Sequence, residues 1–178
     1  AQEFEARGWD AWTCDILPSE GWQKHIQDDI MKHLDDGWDF GIFHQDCTYT
    51  TNSGVRWRVE RNEWRKIKEA CDFFNAVDAA KFPHVSENPI QHKYAREYIR
   101  KYDQIIQPWN FGVPESKAIC LWLVGVPKLI LPVTEKPDGV KQSVWREAPS
   151  ADRKANRARN FPAISKAMAE QWGGILSR

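Results

Sequence analysis

One stretch limits the architecture more than any other: Ala-Ile-Cys-Leu-Trp-Leu-Val at residues 118–124, a run without a polar side chain. An uninterrupted apolar run of this kind predicts a strand covered on both faces, so the chain must supply a sheet with something packed on each side of it. The best helical pattern lies over 62–80, where Trp64, Ile67, Ala70, Cys71, Phe74 and Val77 fall on one stripe at steps of three and four. The remaining segments alternate. A helix over 2–7 is stopped by Gly8, and a short strand follows at 10–14. Asp28 and Asp29 open a helix over 28–34, and 40–43 reads as a buried strand. Residues 44–61 read as a long polar loop, the kind that often carries function. A strand at 84–86, a helix at 94–100 and a strand at 103–107 come next. An amphipathic helix over 161–172 closes the chain and ends at Gly173-Gly174.

Strand–helix alternation predicts a single α/β domain over 1–178: a mostly parallel, Rossmann-like sheet with helices on both faces. In such sheets ligands collect at the carboxyl ends of the strands. Composition narrows the function classes. Net charge is zero and the pI is near 7.2, so no global field draws the protein to nucleic acid, and any such attraction is local. The local basic cluster is Arg153, Lys154, Arg157 and Arg159, whose functional reading is phosphate contact and whose plain reading is a solvated surface segment. Four widely spaced cysteines without a Cys-x-x-Cys pair argue against a structural zinc site. With no apolar run of membrane-spanning length, a reduced cytoplasmic protein is expected.

Two side chains stand where chemistry is expected. Cys47, in His44-Gln45-Asp46-Cys47-Thr48, lies just past the strand at 40–43, where a loop presents a nucleophile. Glu87, in Ser86-Glu87-Asn88-Pro89, follows the next strand and suits a general acid or base. A free Cys is more often a small buried hydrophobe, and a strand-end Glu is as readily a loop carboxylate. Cys14, Cys71 and Cys120 read as core. Phe111-Gly112-Val113-Pro114-Glu115-Ser116-Lys117 is a turn ending on a cation ahead of the apolar strand.

In this order the three motifs resemble the signature of cytosine-5 DNA methyltransferases: Pro-Pro-Cys, then Glu-Asn-Val, then Tyr-Gly-Val-Pro-Gln, a small residue and Arg. Thr51-Asn52-Ser53-Gly54-Val55-Arg56-Trp57 is similar to a stretch of phage and bacterial members. The resemblance implies Cys47 as nucleophile at cytosine C6, Glu87 as its partner at N3, and Lys117 where the family braces the site with Arg. It implies S-adenosylmethionine as methyl donor, with Asp15 on the ribose and Asp29 at the adenine edge, and DNA as partner with the target base flipped out. The family's first strand and glycine-rich turn are expected ahead of Ala1, so the sheet is expected to miss its first strand. A homodimer by strand complementation would fill that slot. Residues 126–160 would form a reduced recognition region. Gln45-Asp46 replaces the two prolines, which predicts a looser loop with a carboxylate beside the thiol. A second class fits the same residues: a nucleic-acid-binding or interaction module that keeps the scaffold without the catalysis.

Overall fold

The computed structural model describes residues 1–143, 148, 150 and 161–176. In chain order its elements are α1 (Gln2–Glu5), β1 (Thr13–Asp15), β2 (His25–Gln27), β3 (Gly41–Phe43), α2 (Val55–Glu60), α3 (Trp64–Asp78), β4 (His84–Asn88), β5 (Gln104–Ile106), β6 (Ile119–Val124) and α4 (Pro162–Leu176). Single 3-10 turns occupy Ile30–Lys32, Ala95–Glu97 and Pro108–Phe111. No helix among the described residues is long and apolar enough to cross a membrane. The chain forms two compact units.

The unit of Leu34–Ile106 and Ala118–Lys128 is built on a four-stranded sheet in the order β3-β4-β6-β5. The apolar run becomes β6, a central strand whose Ile119, Cys120, Leu121 and Trp122 are all at most 3% exposed. The α3 stripe buries Ile67, Cys71 and Phe74 against Cys120, Trp122, Ala95 and Ile99. Phe74 and Trp122 meet edge-on with centroids 5.0 Å apart, and the indole N–H of Trp122 donates to the Arg100 carbonyl at 2.8 Å. Each large side chain removed from water here contributes roughly 1.5–3 kcal/mol. Trp64, expected on the buried stripe, is 42% exposed at the start of α3.

The unit of Ala1–His33, Gln107–Lys117 and the described residues from Leu129 onward holds the parallel pair β1–β2 and helices α1 and α4. Arg7 on the turn after α1 bonds Glu3 and Glu170 of α4, each at 2.9 Å. Helix α4 runs through Gly173-Gly174 instead of ending there. A Cβ on Gly173 would lie 3.2 Å from Trp9 Nε1, so this glycine allows close approach and does not serve as a stop.

The expected sheet is corrected. The structure has a two-stranded parallel sheet and a separate four-stranded mixed one, not a mostly parallel Rossmann-like sheet with helices on both faces. Among the described strands only β3–β4 and β1–β2 pair in parallel, and β6 runs antiparallel to both of its neighbours. The reason lies in the connections. A parallel neighbour needs a crossover, usually a helix, but between β5 and β6 residues 107–118 carry only the 3-10 turn Pro108–Phe111. The helices expected at 28–34 and 94–100 are likewise single 3-10 turns. Strand β1 pairs with β2 and not with β3, so the two strands expected to flank a missing first strand do not pair with each other.

Candidate functional site

The pairing of β3 with β4 builds the edge on which the candidate residues meet. Gly41, Ile42 and Phe43 stand in register with His84, Val85 and Ser86. The chain leaving β3 therefore emerges beside the last two residues of β4, Glu87 and Asn88. His44 Nδ1 lies 3.4 Å from Glu87 Oε2. Gln45 follows, its amide donating to Ser86 Oγ at 2.8 Å while its carbonyl accepts from Asn88 Nδ2 at 3.2 Å. Cys47 lies two residues further on, half-buried. Some forty residues of chain, helices α2 and α3 included, are looped out between Cys47 and Glu87, yet both stand at the carboxyl end of one strand pair.

The Cys47 loop has no proline, and hydrogen bonds hold it instead. Asp46 Oδ1 accepts from the Thr48 N–H at 2.8 Å and from the Thr48 hydroxyl, so this carboxylate is engaged within its own turn. The Cys47 carbonyl accepts from the N–H groups of Thr50 and Thr51 at 3.1 and 3.2 Å, and from Thr51 Oγ1 at 3.1 Å. The far side of the loop is tied down by His92. Its backbone N–H donates to Thr50 O at 3.0 Å, and its Nε2 lies 2.9 Å from Tyr49 O. Ala95 N–H donates to His92 Nδ1 at 3.0 Å, which assigns the ring proton to Nε2. Thr51 also forms a β-bridge with Gln91. The loosening expected from losing two prolines is thus met by side-chain and backbone bonds, each contributing about 1 kcal/mol.

Two polar atoms at this edge stand out. Asn88 Oδ1 and Gln91 Nε2 are buried, in residues each 3% exposed, and bond no protein group among the described residues. Native interiors rarely leave such atoms unsatisfied.

The other cysteines differ in kind. Burial pushes the Cys71 thiol up to about 11 and the Cys120 thiol up to about 12, and it also raises that of Cys14. Cys71 and Cys120 are fully buried, as the sequence suggests, whereas Cys14, expected in the core, is only half-buried.

Asp15, Asp29 and Lys117 belong to the other compact unit. Asp15 ends β1, is exposed, and accepts from the Leu17 N–H at 2.9 Å. Asp29 follows β2, is exposed, and caps the next turn by accepting from the Met31 N–H at 3.0 Å. The two carboxylates thus sit past the carboxyl ends of adjacent parallel strands, each engaged by its own turn through one oxygen. Asp28 does not compete with them: its bond to Lys32 Nζ at 2.7 Å, with the Asp29 N–H and His33, holds its carboxyl down to about 2. Lys117 lies beside the Phe161 ring, Nζ 5.7 Å from the centroid. Arg153, Lys154, Arg157 and Arg159 lie outside the described residues.

Sequence reasoning missed His92, Gln45 and Asn88 as parts of the site, because each acts through a partner more than forty residues away. It also missed α2, within the stretch read as loop. Among the described residues no group of three or more His, Cys, Asp or Glu side chains could hold a metal ion. Comparison with family models, with curated proteins and with solved structures gave no match.

Proposed function

We propose that this protein is a cytosine-5 DNA methyltransferase-like protein that engages a flipped cytosine through Cys47 and Glu87. One observation carries the reading: the parallel register of β3 on β4, which sets the Cys47 loop and Glu87 at one strand edge with the unsatisfied Asn88 Oδ1. The chemistry needs such a pair. Cys47 Sγ, as thiolate, adds to cytosine C6, and the electrons of the C5–C6 double bond move into the ring. Glu87, protonated, gives its proton to N3 and takes up the negative charge that develops there. Carbon C5 then becomes an enamine carbon able to accept an electrophile. His44, against Glu87 Oε2, orients that carboxyl group.

S-adenosylmethionine is the implied donor and supplies an electrophilic methyl group, with Asp15 and Asp29 as the residues that would hold its ribose and adenine edge. Lys117 is the candidate counterpart of the bracing Arg, and Arg153, Lys154, Arg157 and Arg159 are candidates for contact with DNA phosphates. A cytoplasmic location, where thiols stay reduced, suits a cysteine nucleophile.

The test needs no donor. Addition of Cys47 at C6 activates C5 toward protons, so C5 takes a proton from water, loses its own, and Cys47 leaves to restore the double bond. An oligonucleotide tritiated at cytosine C5 is expected to release tritium to water in the presence of the protein. Cys47→Ala should abolish release, and Glu87→Gln should slow it by about a hundredfold or more, the usual worth of a positioned acid. Absence of release, or release indifferent to Cys47→Ala, would remove the cytosine chemistry.

A further inference from the structure

The Cys47 loop leads directly into a surface of a different character. Two cavities flank the short helix α2. One, of about 540 Å³, is lined by Arg56 and Glu60 of α2 and by Lys93, Tyr94 and Arg96 of the opposite segment, with Asn52 at its rim. The other, of about 310 Å³, is lined by Gly54, Trp57, Arg58 and Arg61. Their charged lining is Arg56, Arg58, Arg61, Lys93 and Arg96 against Glu60, which is bonded to Arg56 at 2.7 Å, and Arg58 also lies 3.6 Å from Glu63. In a chain of zero net charge this is a strong local excess. Lys93, Arg96 and Arg61 are exposed.

Aromatic rings are interleaved with the cations. Trp57 is 57% exposed, with the Arg56 guanidinium 5.6 Å from its ring centre. Tyr94 lies under Lys93 Nζ at 4.8 Å and meets Trp64, itself 42% exposed, edge-on at 4.9 Å. Single-stranded nucleic acid covers exposed rings with bases and cations with phosphates. A duplex offers the phosphates but keeps its base faces stacked away from Trp57.

We propose that this basic, aromatic groove around α2 binds single-stranded nucleic acid and feeds it to the edge that holds Cys47. The His92 bonds to Tyr49 and Thr50 tie one wall of the larger cavity to the loop that carries Cys47. The proposal differs from the cytosine reading in the strand state of the substrate, since a base in a single strand reaches the thiol without being flipped out of a duplex. It rests on that reading for the chemistry alone, since the groove's binding does not involve the thiol.

The test is fluorescence anisotropy of a labelled oligo(dT) and of the matching dA·dT duplex, titrated with the whole chain over a range of salt. The single strand is expected to bind at least about tenfold more tightly than the duplex. Trp57→Ala should weaken it about tenfold and Trp57→Phe should restore most of that loss, as stacking on one ring predicts. Lys93→Glu with Arg96→Glu should weaken binding and flatten the slope of log K against log salt by roughly 0.7 for each phosphate no longer neutralised. The three side chains exchanged here are all exposed, so circular dichroism is expected to show an unchanged fold. Absence of oligo(dT) binding, equal or tighter duplex binding, or indifference to these variants would overturn the proposal. So would displacement by poly-glutamate at equal charge, which would assign the groove to acidic polypeptides. Binding without tritium release at cytosine would sink the chemistry alone, and release with variant-insensitive binding would sink the groove alone.

Discussion

Four thiols in one chain meet different surroundings, and their reactivity is expected to divide accordingly. Cys71 and Cys120 are fully buried, and burial lifts their thiols to about 11 and about 12, so little thiolate forms at neutral pH. Cys47 is half-buried on a loop. Iodoacetamide at pH 8 is therefore expected to label Cys47 in the folded protein while sparing Cys71 and Cys120, as read by peptide mass; labelling of either buried thiol at a comparable rate would contradict the packing. A second residue-scale expectation concerns Asp28. Its carboxyl is held down to about 2 by the Lys32 bond, with the Asp29 N–H and His33 assisting. A depressed folded pKa stabilises the fold above the ordinary carboxylate value near 3.8, and that contribution is lost as pH falls through about 2. Lys32→Met should move the Asp28 titration, followed by NMR, back toward its ordinary value. Cys47 stands on the loop past β3, as the sequence expects, whereas Glu87, expected just after a strand at 84–86, lies within β4. The anchoring roles of Gln45, Asn88 and His92 were not legible in the sequence, because amide and imidazole side chains acquire meaning only from partners brought in by the sheet.

At the scale of elements, the apolar stripe and the apolar run were legible because burial leaves a periodic trace. Ile67, Cys71, Phe74 and Val77 are buried at the spacing the stripe requires. Phe74→Ala removes the ring that packs on Trp122 and should cost about 3–5 kcal/mol in urea unfolding; a loss under about 1 kcal/mol would place the core elsewhere. Strand direction left no such trace. A strand buried on both faces has the same composition whether its neighbours run with it or against it, and the connection before β6 decided the matter. Helix α2 was hidden by its two valines and by a run of turn-forming residues ahead of it. It is held by the Arg56–Glu60 pair one turn apart and starts from Gly54, at φ +79. Gly173-Gly174 reads as a stop in sequence, yet both lie inside α4. Gly174 has open space around a Cβ, so Gly174→Ala is expected to stabilise the helix by up to about 1 kcal/mol. Gly173→Ala should lack that gain because it presses on Trp9, and thermal denaturation distinguishes the two.

At the scale of the whole molecule, zero net charge made a global attraction to nucleic acid unavailable, and the structure answers with a local cationic excess around α2. Two sheets stand where one was expected, and among the described residues β1 and β3 each have a single strand neighbour. Strand complementation by a second copy would use such an edge, and sedimentation equilibrium would then return twice the chain mass of 20.7 kDa; a single species at the chain mass would exclude it. The proposed chemistry requires Cys47 to form a bond to cytosine C6. The most direct measurement is peptide mass analysis after incubation with S-adenosylmethionine and a single-stranded oligonucleotide whose cytosine carries fluorine at C5. Fluorine cannot leave C5 as a proton does, so the Cys47–C6 bond should persist and be recovered. A stable adduct is predicted on the peptide containing Cys47, and none with Cys47→Ala. Recovery of the unmodified Cys47 peptide alone, or an adduct on Cys14, Cys71 or Cys120, would contradict it.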